Sequence, residues 1–323
     1  MIDTLASPAV DATAVEALLR DDLAQGDAML GSVGAILRHL LTSDDSALFS
    51  EEVIARLRGM LADLARQLLD QFMGESGADQ GAGPSDERQA ELAALLAGQP
   101  ALLAHVHAVA LEAQLTDRLQ ARLSLDPVLS PLLQALISSP QSAVAADAMA
   151  LLAAQARFIQ AMRRMQLPLT ELPADLLHAA LLTLRHVAGE HPEAAAAAQK
   201  AEAMIRSQYD ESRTRLGQLA RIVTGMGAGA TAALSLAHAG VGLFLTALGL
   251  ASGQDREMAT LSTGDGQMAR LALSLRAAGL KPETVEEQFL ALHPEALMPT
   301  GFEVLGADRA AAMLARSSVW PGA

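Results

Sequence analysis

Cysteine is absent from this chain, and aromatic residues make up only 2% of it. Without cysteine there is no disulfide framework, no thiol nucleophile and no thiolate metal site, which fits a reducing compartment. β-Sheets favour Val, Ile, Thr and aromatic residues in alternation, and no stretch has that mixture. The apolar residues, 51% of the chain, are mainly Ala, Leu and Met, which form helices readily. We therefore predict an all-α fold.

A basic surface is also missing, since the formal net charge is −14. Residues 1–73 carry 12 Asp and Glu against 5 Lys and Arg. Nucleic-acid binding requires a basic surface that contacts phosphates, so we predict no nucleic-acid partner. The N-terminus begins with acidic residues and has no basic stretch ahead of an apolar run, so it is not a signal peptide. The chain is therefore predicted to be cytoplasmic.

Charge is absent altogether from residues 222–254, where only His238 could titrate near neutral pH. The run is long enough to span a bilayer. However, Gly240 and Gly242 interrupt its centre, and neither an aromatic belt nor a Lys/Arg cluster flanks it. We predict two packed helices, broken near Gly240 and buried in a soluble domain. The predicted core residues are Leu243, Phe244, Leu248 and Leu250, and a membrane-attached helical protein is the alternative.

One linker divides the chain at residues 74–85, which read GESGADQGAGPS and contain no apolar side chain larger than Ala. Residues 1–73 are predicted to form an acidic N-terminal helical bundle, with helices near 13–26, 29–41 and after Ser50. Residues 86–323 are predicted to form a second, larger helical domain, with a further subdivision near residue 224 left open.

Proline punctuates the larger domain, because several apolar periodic runs begin directly after a proline, as is typical of the first helical position. Short loops between successive helices indicate antiparallel neighbours. We predict an irregular HEAT-like helical repeat, or solenoid, although no repeat of fixed period is visible. The predicted helices lie near 86–97, 100–123, 127–137, 140–165, 173–188, 192–223, 228–238, 241–251, 255–261, 265–278, 282–292 and 307–317.

Residues 240–292 contain a Leu/Phe-rich helix that ends in Leu250-Ala-Ser-Gly253 and a later helix that closes in Leu275-Arg-Ala-Ala-Gly-Leu280. This stretch resembles an uncharacterised, mainly alphaproteobacterial family with a helical, HEAT-like domain of unknown function. Residues 155–182 are compatible with the same family. The resemblance implies a bacterial protein with a helical fold and brings no catalytic residues.

Few residues have the spacing of a chemical site. His105 and His107 are two positions apart, about 200° around a helix, and cannot chelate one metal; we expect one to be exposed and one packed. No paired-histidine zinc motif occurs. The glycine-rich run at 225–231 follows a helix rather than a strand and lacks the lysine of a phosphate loop. We therefore predict no catalytic site, cofactor or metal.

A local basic ridge stands out in this acidic chain. Arg157 and Arg164 are seven positions apart on one helix, and Arg163 lies beside them. The ridge either pairs with the protein's own acidic residues or binds an acidic partner. We take these three arginines as candidate partner-binding residues.

The sequence favours a non-catalytic protein–protein interaction protein or regulatory scaffold, and a homo-oligomer is compatible with it. The alternative from another class is a histidine phosphotransfer or signalling protein, in which His39 of the N-terminal bundle is the phosphoacceptor. His39 follows Arg38 near the end of a predicted helix, which is the one feature that supports this alternative.

Overall fold

A computed structural model describes residues 12–42, 51–76, 86–189 and 191–317, and within these residues the protein is all-helical and has no strand. The α-helices are α1 (Ala12–Thr42), α2 (Glu51–Ser76), α3 (Asp86–Ala97), α4 (Pro100–Leu123), α5 (Pro131–Ile137), α6 (Ser142–Arg163), α7 (Ala174–Ala188), α8 (Pro192–Gln208), α9 (Arg215–Gly225), α10 (Leu236–Ser252), α11 (Arg256–Leu261), α12 (Met268–Ala277), α13 (Pro282–Leu292) and α14 (Ala307–Arg316). Short 3-10 segments join some of them.

The first helix is continuous, although the sequence predicted a break at Gly26. α1 runs for 31 residues through that glycine. A Cβ atom at Gly26 would lie 2.9 Å from the side-chain amide of Gln267, which donates a hydrogen bond to the Gly26 carbonyl oxygen at 2.7 Å. Gly26 is therefore a point of close packing between distant segments, and not a helix end.

The long helix predicted at 192–223 is two helices, so that prediction was wrong. α8 ends at Gln208, and α9 begins at Arg215. Between them the chain turns through the 3-10 segment Glu211–Arg213. Thr214 caps α9, because its hydroxyl accepts a hydrogen bond from the backbone N–H of Gly217 at 3.0 Å.

Two further boundaries differ from the prediction. α5 starts at Pro131, and the hydroxyl of Ser130 caps it, whereas the sequence placed the start at residue 127. Asp126 instead closes a turn by accepting the backbone N–H groups of Val128 and Leu129, each at 2.8 Å. α2 continues to Ser76, so the predicted linker begins inside a helix; its residues 77–85 lie outside the described residues.

The interior consists of two main hydrophobic cores. The first core includes Leu19, Leu119, Leu151, Phe244 and Leu271. The second core includes Leu37, Leu64, Leu92, Leu177 and Ala198. Helices α1, α4 and α6 contribute side chains to both, and each core contains residues from both sides of the predicted linker. The division of the chain at residues 74–85 stays a prediction.

The second half of the uncharged run is buried in protein, as predicted, whereas residues 224–232 are mostly exposed. The helix predicted at 228–238 was wrong, because residues Gly227–Leu234 form a 3-10 segment and α10 begins at Leu236. Every residue from 241 to 249 is buried, and Gly240 breaks the helix with φ 73° and ψ 168°. Leu243, Phe244 and Leu248 are core residues, which confirms their prediction. The prediction for Leu250 was wrong, because this side chain is 56% exposed and lies at the mouth of a cleft.

One described helix is long and apolar enough to cross a membrane. By length and composition one helix, Ser142–Arg163, meets this condition, and the total rises to three if each of two bent pairs is one span. The pairs are α3 with α4, bent by 95°, and the 3-10 segment Gly227–Leu234 with α10, bent by 113°. The membrane-attached alternative stays a prediction.

Candidate functional site

A polar cleft of about 490 Å³ opens between α6, the start of α9 and the turn that joins α8 to α9. Its floor is the exposed side of α6. Only 22% of the most apolar stretch of that helix is buried. The lining residues are Asp147, Ala150, Ala153, Arg157, Thr170, Glu171, Gln208, Asp210, Ser212, Arg213, Gln218 and Arg221. The cleft thus combines small apolar side chains with an unusual number of charged groups.

Three arginines converge on this polar cleft. Arg221 is engaged, since its guanidinium lies 3.5 Å from the carboxylate of Asp147 and donates to the carbonyl oxygen of Ser212 at 2.8 Å. The guanidinium groups of Arg157 and Arg213 lie beyond ion-pair and hydrogen-bond distance of every other described residue. Both are exposed, and each still acts electrostatically on one carboxylate of the cleft, Arg157 on Glu171 and Arg213 on Asp210. Neither guanidinium is therefore held by a direct bond that a ligand would have to break.

The other two carboxylates of the cleft are held by the protein. Asp210 accepts the backbone N–H of Ser212 at 3.0 Å and its hydroxyl at 2.7 Å, and the hydroxyl bond is the largest cause that lowers the pKa of Asp210. Glu171 accepts the backbone N–H of Arg215 at 2.7 Å. Burial raises the pKa of Glu171, and Arg215 and Arg157 counteract part of that effect.

The turn that carries Arg213 is fixed by local packing. A Cβ atom at Gly217 would lie 2.3 Å from the carbonyl oxygen of Glu211, so only glycine lets the turn approach α9 this closely. The hydroxyl of Tyr209 donates to the carbonyl oxygen of Leu172 at 2.8 Å and ties the turn to the segment before α7. Arg213 therefore lies on a turn that these contacts fix, and it lines the cleft together with Arg157.

A buried ion cluster anchors α9 beneath the polar cleft. The carboxylate of Glu112, 1% exposed, accepts hydrogen bonds from Arg215 and, at 2.8 Å, from Arg256. Burial acts to raise the pKa of Glu112, but the two arginines outweigh it and lower the pKa to about 2. The Arg215 guanidinium also lies 3.6 Å from the ring centroid of Phe158. The cluster ties α4, α9 and α11 together and positions the cleft wall.

The structure separates the three arginines that the sequence grouped into one ridge. Arg157 lines the polar cleft, whereas Arg163 and Arg164 are exposed at the C-terminal end of α6. Sequence reasoning missed Arg213 and Arg221 as site residues. Their spacing along the chain carried no signal, because the sequence predicted one helix over 192–223 and so did not predict the turn before α9.

The histidines lie away from this cleft. His39 is exposed in the last turn of α1, and the phosphotransfer alternative that uses it stays a prediction. His105 and His107 are both buried, so the expectation that one would be exposed was wrong. His105 contacts the carboxylate of Glu257 at 2.6 Å, and burial lowers the pKa of His107 to about 4.

Among the described residues, no group of three or more His, Cys, Asp or Glu could hold a metal ion. Comparisons with protein-family models, curated proteins and solved structures find no match to this chain. The function must therefore be argued from the geometry of the polar cleft.

Proposed function

We propose that this protein is a cytoplasmic, non-catalytic interaction or regulatory protein whose polar cleft binds an acidic segment of a partner protein. One observation carries the proposal: Arg157 and Arg213 face the same cleft without an ion-pair partner among the described residues. In a chain of net charge −14, such a cleft is a local exception. Arginine binds carboxylates through paired hydrogen bonds and is enriched at interface hot spots.

The proposal includes a HEAT-like repeat over residues 86–323, preceded by the N-terminal bundle, and membership of the bacterial family that the sequence resembles. Packing of consecutive helices, such as α5 on α6 and α7 on α8, is what a repeat has, whereas the packing of α2 on α8 and of α12 on α14 joins helices that are not consecutive. Helical repeats commonly bind their partners on extended concave surfaces. The polar cleft is also concave and lies between helices, but it is much smaller.

Defined peptides test this function directly. We would measure the fluorescence anisotropy of labelled hexaglutamate, with hexalysine as the opposite-charge probe, at about 50 mM and about 150 mM salt. The wild-type protein is expected to bind hexaglutamate more weakly as the salt rises and not to bind hexalysine in this cleft. The double variant Arg157→Gln/Arg213→Gln should lose about tenfold in affinity, or about 1.4 kcal/mol.

The matched control is Arg163→Gln/Arg164→Gln, which removes the same charge from exposed positions on and next to α6. It should change hexaglutamate affinity less than about twofold, because long-range effects of exposed charges are screened. Equal losses in both double variants would mean that net charge, and not the cleft, binds the peptide. A photo-crosslinking residue at Ala153 should then capture a cellular partner that the cleft variant fails to capture.

A further inference from the structure

A second cleft, of about 410 Å³, lies on the other side of the turn that carries Arg213. Its lining includes four apolar residues and a group of polar ones at the rim. Glu171 belongs to the walls of both clefts, and α9 contributes neighbouring faces to each. The apolar lining residues are Pro173, Leu216, Ala220 and Leu250. We call this the apolar cleft, since it adjoins the polar cleft but differs from it in character.

Leu250 is the exposed aliphatic side chain of the apolar cleft. It follows nine consecutive buried residues, 241–249, and is itself 56% exposed. Exposed leucines are common singly, but this one lies in a concave site next to the partly buried Leu216. A ligand with an aliphatic group would remove both side chains from water, which is favourable.

The rim of the apolar cleft is negative, whereas the polar cleft is balanced, with three arginines and three carboxylates in its lining. Glu211 and Asp255 are exposed there. The one arginine, Arg256, is engaged, because it donates to Glu112 at 2.8 Å and to the hydroxyl of Thr246 at 3.0 Å. A ligand group that binds at this rim should therefore be neutral or basic. Acidic groups of the ligand should bind instead in the polar cleft, at Arg157.

We propose that the two clefts bind one continuous segment of the partner protein. Its acidic residues contact Arg157 and Arg213, and a large aliphatic residue beside a basic residue occupies the apolar cleft at Leu250. This inference rests on the proposed function and specifies the chemistry of the partner segment. Two arginines without direct ion pairs on one side of Glu171, and the acidic rim with its exposed leucine on the other, complement a segment whose charge changes along its length.

Labelled peptides separate this inference from the proposed function. The first peptide has three glutamates followed by serines only; the second has three glutamates, a serine spacer, then leucine and lysine; the third ends in leucine and glutamate. The second peptide is made with spacers of one, three and five serines, because each extended residue adds about 3.3 Å between the glutamates and the leucine. Each version is also made in the reverse sequence order, so that both chain directions are tested. The best second peptide should bind about tenfold tighter than the first, and the third should lose part of that gain.

Leu250→Ser should remove the gain of the second peptide and leave the affinity of the first unchanged. Leu182→Ser is the control, because Leu182 is 47% exposed on α7 and lines neither cleft. If the first peptide binds but no second peptide binds tighter, or if Leu250→Ser keeps the gain, this inference is overturned and the proposed function stands. If the first peptide does not bind wild-type protein, the proposed function itself fails.

Discussion

Single side chains carry much of the stability of this fold, and Phe244 is the clearest case. It is fully buried in the first core. Phe244→Ala should lower the free energy of unfolding by about 3–5 kcal/mol, which is a large share of the total of about 5–15 kcal/mol. Urea unfolding followed by circular dichroism measures the change. Leu250→Ala, at the exposed end of the same helix, should cost less than about 1 kcal/mol, and equal effects would contradict the assignment of Phe244 to the core.

A second residue, His107, makes stability depend on pH. Burial lowers its folded-state pKa from the ordinary 6.5 to about 4. As the pH falls through this window, the unfolded chain gains a proton at this imidazole and the folded protein does not. The free energy of unfolding should therefore fall, by about 2 kcal/mol at pH about 5 from this group alone.

Unfolding free energies of the wild type and His107→Leu at pH about 7.5 and about 5 test this contribution. The variant should lose less stability than the wild type between the two pH values, whatever its stability at neutral pH. His293, whose pKa is also lowered by burial, acts in the same direction in both proteins and cancels in the comparison. His191→Leu, at an exposed position, serves as the control. An unchanged loss in His107→Leu would refute the assignment.

At the scale of elements, glycines have two different structural roles that look alike in sequence. Gly240 has a positive φ of 73° and breaks the uncharged run, as expected of a helix breaker. Gly26 lies inside α1, and because it has no side chain, the amide of Gln267 can pack directly on the helix backbone. Gly26 lies between Gln25 and Asp27, and Gly240 lies between Ala239 and Val241. Neither flank states the role of its glycine, and the contact that identifies the role of Gly26 is with Gln267, 241 positions away.

Substitution of Gly240 tests the break. Gly240→Ala forces an L-residue into the left-handed region and places a Cβ atom 3.1 Å from that of Ser130. The free energy of unfolding should fall by about 1–3 kcal/mol, measured by urea unfolding. Gly225→Ala, in the last position of α9 with no atom within 4 Å of the added Cβ, should be neutral or slightly stabilising. The hypothesis fails if both variants unfold alike.

At the scale of the whole molecule, the two cores join segments that are far apart in sequence. α1 contributes Leu19 to the first core and Leu37 to the second. The buried Arg270 of α12 bonds to Asp27 of α1 and to Ser317. The N-terminal helices are thus packed against the rest of the chain through both hydrophobic and charged contacts.

Limited proteolysis tests this integration. The composition of residues 77–85 predicts the first internal cut there, after the end of α2. Because Leu64 of α2 and Leu92 of α3 share the second core, the two fragments should stay together in size-exclusion chromatography and separate only under denaturing conditions. A first cleavage inside residues 140–223 would contradict this organisation. So would two fragments that separate without denaturant and keep the melting temperature of the uncut protein.

Composition and periodicity were enough to predict the all-helical fold, most helix boundaries marked by proline, and the burial of residues 241–249. These features depend on composition, periodicity and missing charge, which are local properties. The sequence also indicated Arg157 as a candidate binding residue. It also grouped Arg163 and Arg164 with Arg157, because spacing along one helix is the only proximity that a sequence shows. In the structure only Arg157 of the three lines the polar cleft.

The continuity of α1, the turn between α8 and α9, and the two clefts follow from long-range contacts in the folded chain. Arg157 and Arg213 are brought together by a chain reversal that depends on the fit of Gly217 against Glu211. Leu250 follows the same helical pattern as its buried neighbours, yet its side chain is 56% exposed and lines the apolar cleft. Such outcomes depend on contacts between residues distant in sequence, and neither spacing nor composition encodes which of those contacts form.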